Sequence, residues 1–129
     1  MTSAVKANTH VGLASMLTPD NSVVLLIDHQ PYQFVAVRNM DPQLVLNNTV
    51  ALAKTAKGFG VPTILTTVLE ERGGYLAQQL VDVFPDQKPI DRTTINAWED
   101  PKVVEAVAAT GRRRSSSPAC SLKSASSFR

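Results

Sequence analysis

Apolar residues along the 129-residue chain fall into two short unbroken runs and three longer stretches at helical spacing. The first run, SVVLLI at residues 22–27, is flanked by TPDN before it and by Asp28 and Pro31 after it. A continuous β-branched and aliphatic run bounded by turn residues predicts a strand buried on both faces, as in a parallel sheet. Asp41 and Pro42 then supply an N-cap and a first-turn proline, and Val45, Leu52, Ala56 and Phe59 recur at helical spacing with Thr49 between them. Lys54 and Lys57 lie toward the end of this stretch, and Gly58 and Gly60 stop it. The second run, VPTILTT at residues 61–67, follows at once. Strand, helix and strand at this spacing predict a βαβ unit, which crosses over right-handed.

The pattern continues with a short amphipathic helix over Leu76, Leu80, Val83 and Phe84, and a short strand over residues 89–92. A better marked helix opens at Asp100 and Pro101, is predicted to bury Val103, Val104, Val107 and Ala108, and stops at Gly111. A strand should follow. The chain instead runs into three serines and a proline, residue types poorly suited to a buried parallel strand. The expected organisation is therefore an N-terminal extension over residues 1–19, a partial α/β domain over 20–111 and a basic, Ser-rich, disordered tail over 112–129.

Charge separates the tail from the body. Over residues 1–111 there are 8 Lys and Arg against 11 Asp and Glu, a formal −3, whereas residues 112–129 carry 5 basic residues and no acid. The formal +2 of the whole chain thus says nothing about a nucleic-acid or membrane partner for the body. No apolar run approaches the roughly 18 residues of a membrane span, and the N-terminus lacks a signal-peptide core, which predicts a cytoplasmic protein. The single cysteine, Cys120, excludes an internal disulfide framework, and with His10 and His29 as the only imidazoles no metal site is expected.

Asp28 ends the first predicted strand, at the sheet edge where open α/β folds bind ligands, so acid/base work and capping of the next turn both suit it. His29 is read as structural or solvent-facing rather than catalytic. Arg92, in DRTTINAWED, fits an unpaired surface arginine as well as a site cation, and Trp98 fits loop packing as well as a pocket wall. EERGG at residues 70–74 fits a mobile rim.

Taken together these stretches carry more weight. LLIDHQ at 25–30, NNTVALAKTAKGFGVPTILTT at 47–67, FPD at 84–86 and INAWEDPKVVEAVAATG at 95–111 resemble the isochorismatase-like cysteine hydrolases, in the branch of oligomeric bacterial hydrolases of uncertain substrate. The resemblance spans residues 20–111. It implies a Rossmann-like three-layer α/β fold with a parallel sheet, here incomplete, a small amide or imide substrate, no cofactor, and a homo-oligomer. It assigns Asp28 as the acid/base group and Arg92 to the family's basic position, usually lysine. It makes Gln30, Asn96 and Trp98 the pocket candidates. Arginine keeps the charge but does not release its proton, so orientation and charge stabilisation fit it better than proton relay. The family mechanism has the Asp take the thiol proton, the thiolate attack a carbonyl, backbone N–H groups hold the oxyanion, and water release the thioester.

The family's cysteine follows a strand after the helix ending near Gly111, in a segment like KLIIAGLxTEVC, and this chain has none. A serine codon of the TCN type, read one base earlier, becomes NTC and encodes Phe, Leu, Ile or Val. Reading residues 114–129 in that frame allows KVLIAGLLTEVCLVFP, with the cysteine at position 125, where this chain has Ala125. A single-nucleotide loss near codon 114 is thus the expectation, with Cys120 an accident of frame, little cysteine-dependent activity, and a bared strand edge that favours aggregation or assembly. Two rivals stay open. A cysteine-independent vinyl-ether hydrolase driven by Asp28 predicts activity lost in Asp28→Asn and untouched in Cys120→Ala. A non-catalytic binding module predicts salt-sensitive docking of an acidic partner through residues 112–129.

Overall fold

A computed structural model describes residues 16–112 and the backbone of residues 114–116. Strand β1 (Ser22–Ile27) leads into a short helix α1 (Pro31–Ala36) and then α2 (Pro42–Gly58). Strand β2 (Thr63–Val68) is followed by the one-turn helix α3 (Glu70–Gly73) and by α4 (Gln78–Val83). Strand β3 (Ile90–Arg92), a 3-10 turn (Ala97–Glu99), α5 (Pro101–Ala109) and strand β4 (Arg114–Ser116) complete the described chain.

All pairings are parallel and the strand order is β3-β2-β1-β4. Every residue of β1 is buried, which is why its sequence shows no polar alternation. Val24 and Leu26 face one core with Ala53 and Ala56 of α2, Leu65 of β2, and Leu76, Leu80 and Val83. Val23, Leu25 and Ile27 face the other, with Ile64, Ala97 and Val103 of α5. Two cores on opposite faces of one parallel sheet make this an α/β three-layer fold, as the hydrophobic runs predicted.

The two longer helices begin where the Asp-Pro pairs predicted: the Asp41 carboxylate accepts from Gln43 N–H at 2.9 Å and that of Asp100 from Lys102 N–H at 2.8 Å, with proline in each first turn. Gly60, at φ +68, lies just beyond the end of α2.

Three expectations need correction. Phe59, read at helical spacing with the apolar residues of this helix, is its C-cap and is 68% exposed. Val104 is 41% exposed and Ala108 lies on the same outer side, since α5 packs on the sheet through Val103 with Ala106 and Val107 beside it. The chain after Gly111 does add a strand: Arg114, Ser115 and Ser116 pair with Ser22, Val23 and Val24 of β1. The rest of the expected disordered tail, the N-terminal residues 1–15, Cys120 and Ala125 lie outside the described residues.

Candidate active site

Strand order reverses at β1, with β2 and β3 on one side and β4 on the other, and such a switch point opens a crevice at the carboxyl ends of the strands. Asp28 stands at that end. Its backbone leaves the extended conformation at φ +57, a left-handed geometry that aspartate tolerates better than most residues, and its N–H still donates to Thr66 O at 3.1 Å.

Arg92 ends β3, two strands away. Strands spaced by about 4.8 Å put β3 and β1 roughly 10 Å apart, so only a long side chain reaches across β2. Arg92 does so. Its Nη2 donates to Asp28 Oδ2 at 2.7 Å and its Nη1 to Asp28 Oδ1, forming a two-point ion pair. Nη1 also donates to Thr67 O at 3.0 Å and Nη2 to Ile95 O at 2.8 Å. The Thr66 hydroxyl lies 3.4 Å from Asp28 Oδ1. Asp28 is 2% exposed and Arg92 1%, so the pair is shielded from water and Arg92 is not the surface arginine that its sequence context allowed. Arg92 Nε, also buried, has no partner among the described residues.

The remaining candidates take different places. Gln30 is fully buried, but its amide is occupied by backbone: Oε1 accepts from Val68 N–H at 2.8 Å, and Nε2 donates to Val68 O at 3.1 Å and Gly74 O at 2.6 Å. The 70–74 stretch is thus not a bare rim but the α3 turn, tied to the end of β1. Asn96 caps the 3-10 turn by accepting from Trp98 N–H at 3.1 Å, and Asn96 and Trp98 are both half-buried beside Ile95, whose carbonyl holds Arg92.

His29 is 1% exposed, which removes the solvent-facing alternative. Its ring tilts against Phe34 with centroids 6.1 Å apart, and Nδ1 has no partner among the described residues. Desolvation lowers its pKa from 6.5 to about 4, so the ring is neutral at ordinary pH. Sequence reasoning missed the carbonyls of Thr67 and Ile95 that hold Arg92, because backbone acceptors carry no residue signature.

Over 100 residues the chain is 42% identical to the probable hydrolase YcaC of Escherichia coli, a match covering 76% of this chain and 48% of that protein. The chain is homologous to the YcaC-type hydrolases. Its structure superposes on the YcaC gene product of E. coli, an octameric hydrolase of unknown specificity, with a TM-score of 0.77 at 39% identity, over 81% of this chain and 52% of that one. YcaC from Pseudomonas aeruginosa, solved with hexane-2,5-diol and covalent acrylamide, gives a TM-score of 0.77 at 37% identity, covering 81% and 53% of the two chains. The MAR1 ribonuclease of Caenorhabditis elegans, 19% identical at a TM-score of 0.68 over 81% of this chain and 53% of its own, shares the fold. The chain spans about half the length of the relatives it matches. No protein-family profile matches it. Among the described residues, no helix is long and apolar enough to cross a membrane.

Proposed function

We propose that the chain derives from an isochorismatase-like hydrolase acting on a small amide or imide, with Asp28 as acid/base group and Arg92 orienting it. The observation that carries this reading is the water-shielded two-point pair of Asp28 and Arg92 at the carboxyl edge of β1, 64 residues apart in sequence, in a chain homologous to hydrolases. In this reading Arg92 fixes the carboxylate and steadies developing charge, and Asp28 moves the proton. Covalent acrylamide in the P. aeruginosa relative supports it, since acrylamide is a small amide and an electrophile to which thiolates add.

The attacking thiolate of the family mechanism has no counterpart in the frame as read, and we attribute this to loss of one nucleotide near codon 114. Supporting this is the position of β4, beside β1, where the shifted frame would encode the aliphatic strand leading to a cysteine at position 125. The intact protein would be a homo-oligomer, as the octameric relative suggests, and the exposed Tyr32, Val35 and Tyr75 are apolar surface available to such contacts.

Sequencing the gene through codon 114 tests the frame: an intact reading with no downstream frame encoding further strands would sink it. Activity is then compared between this chain and a frame-restored version on a panel of small amides and imides. The restored protein should hydrolyse at least one and lose that activity in Asp28→Asn, while Cys120→Ala in this chain changes nothing. An activity abolished by Cys120→Ala would overturn the assignment, and Asp28-dependent hydrolysis of a vinyl ether by this chain, without the restored cysteine, would favour the vinyl-ether reading.

A further inference from the structure

The buried Gln30 was a pocket candidate, yet its whole amide faces backbone, and the strand register explains why. Val24 N–H donates to Pro62 O at 2.9 Å and Asp28 N–H to Thr66 O at 3.1 Å, a step of four residues on both strands. Continued for one more rung, a parallel ladder would have Val68 N–H donate to the carbonyl of residue 28 and Val68 O accept from the N–H of residue 30. Neither bond forms. Asp28 O instead accepts from Gln30 N–H at 2.8 Å, closing a tight turn over His29. Val68 keeps both partners because the Gln30 side chain supplies them, its Oε1 as acceptor and its Nε2 as donor.

We propose that Gln30 is a positioning residue: its side-chain amide replaces the last two rungs of the β1–β2 ladder, which lets β1 turn at Asp28 and holds the Asp28 carboxylate on Arg92. Without the replacement, the turn would leave a half-buried N–H and C=O at Val68 without their protein partners, each at some cost. The second Nε2 hydrogen, on Gly74 O, ties the Leu69–Gly74 turn to the same point. Leu69, itself at φ +46, donates its N–H to Arg92 O at 3.0 Å, so the brace reaches Arg92 from both sides. A side chain so occupied has no donor left for a substrate. The importance of this brace rests on the acid/base reading of Asp28, but its test measures geometry and not turnover.

In the wild-type protein, both Gln30 Nε2 hydrogens should exchange slowly in NMR spectra, and the two-point pair should give Arg92 separate Nη signals through hindered rotation of the guanidinium. Gln30→Met should speed exchange of the Val68 amide about tenfold, the loss of one hydrogen bond, and merge the Arg92 signals. Gln30→Glu keeps an acceptor for Val68 N–H but presents a carboxylate to two carbonyls. It should resemble Gln30→Met at neutral pH and regain separate Arg92 signals near about pH 5, where the side chain gains a hydrogen to donate. Solvent-rate exchange of the wild-type Gln30 amide would overturn the proposal even if no variant folded. So would Arg92 signals indifferent to both substitutions, which would leave Gln30 a local support only. Absence of hydrolysis in every form would instead count against the proposed function and leave this result standing.

Discussion

Replacing Asp28 by Asn tests the site most directly, and the structure sets how that experiment must be read. The substitution keeps the shape of the side chain but removes the charge opposite a guanidinium that is 1% exposed, and it turns an NH2 group toward the Arg92 Nη donors. Breaking a buried pair from one side costs about 3–5 kcal/mol, because the remaining charge stays desolvated. The carbonyls of Thr67 and Ile95 still accept from Arg92, which places the expected loss near the lower end, about 3 kcal/mol. A domain with roughly 100 ordered residues has about 5–15 kcal/mol in total, so this is a large share. Arg92→Met, which strands the carboxylate, should cost a similar amount. The double variant, Asp28→Asn with Arg92→Met, buries no charge and should be far less damaged than the two single losses combined. Urea unfolding followed by the fluorescence of Trp98 gives all three values. Single losses below about 1 kcal/mol, as for exposed ion pairs, or additivity of the two, would refute the buried-pair argument. Activity lost in Asp28→Asn then bears on chemistry only after correction for the folded fraction.

His29 predicts an acid weakness. Burial depresses its pKa from 6.5 to about 4, so the unfolded chain binds its proton first and stability falls as pH drops from 6.5 through about 4. The loss reaches about 3 kcal/mol at the acid end and should vanish in His29→Asn, whose pH profile serves as the reference in the same urea titration. Equal acid sensitivity of the two proteins would mean that His29 is not the cause. Gly74 has φ +84 and ψ 168, and a Cβ there would lie 3.3 Å from Pro31 Cδ. Gly74→Ala should therefore lower stability by about 1–3 kcal/mol, seen as a reduced urea midpoint at unchanged slope. Leu80, fully buried against Val24 and Leu26, should cost about 2–5 kcal/mol as Leu80→Ala, and a loss below 1 kcal/mol would mean that α4 does not pack as described.

Local signals determined much of this protein. SVVLLI reads directly as a strand buried on both faces, and β1 spans those six residues. Asp41-Pro42 and Asp100-Pro101 mark helix starts within one turn of sequence, since a cap is a contact between residues two or three apart. Asp28 and Arg92 were nameable through the family resemblance. Helices α1 and α3, of 6 and 4 residues, left no usable periodicity, because such short segments form only where the tertiary structure holds them. Pairing decided the rest. Which strand lies beside β1, whether Arg92 is buried, and whether Gln30 meets substrate or Val68 all depend on residues 25 to 92 positions apart meeting in one sheet. No local pattern encodes such meetings. The same holds for residues 114–116, where a serine-rich segment with no strand signature sits beside β1: a parallel ladder is made of backbone hydrogen bonds, which any residue other than proline supplies.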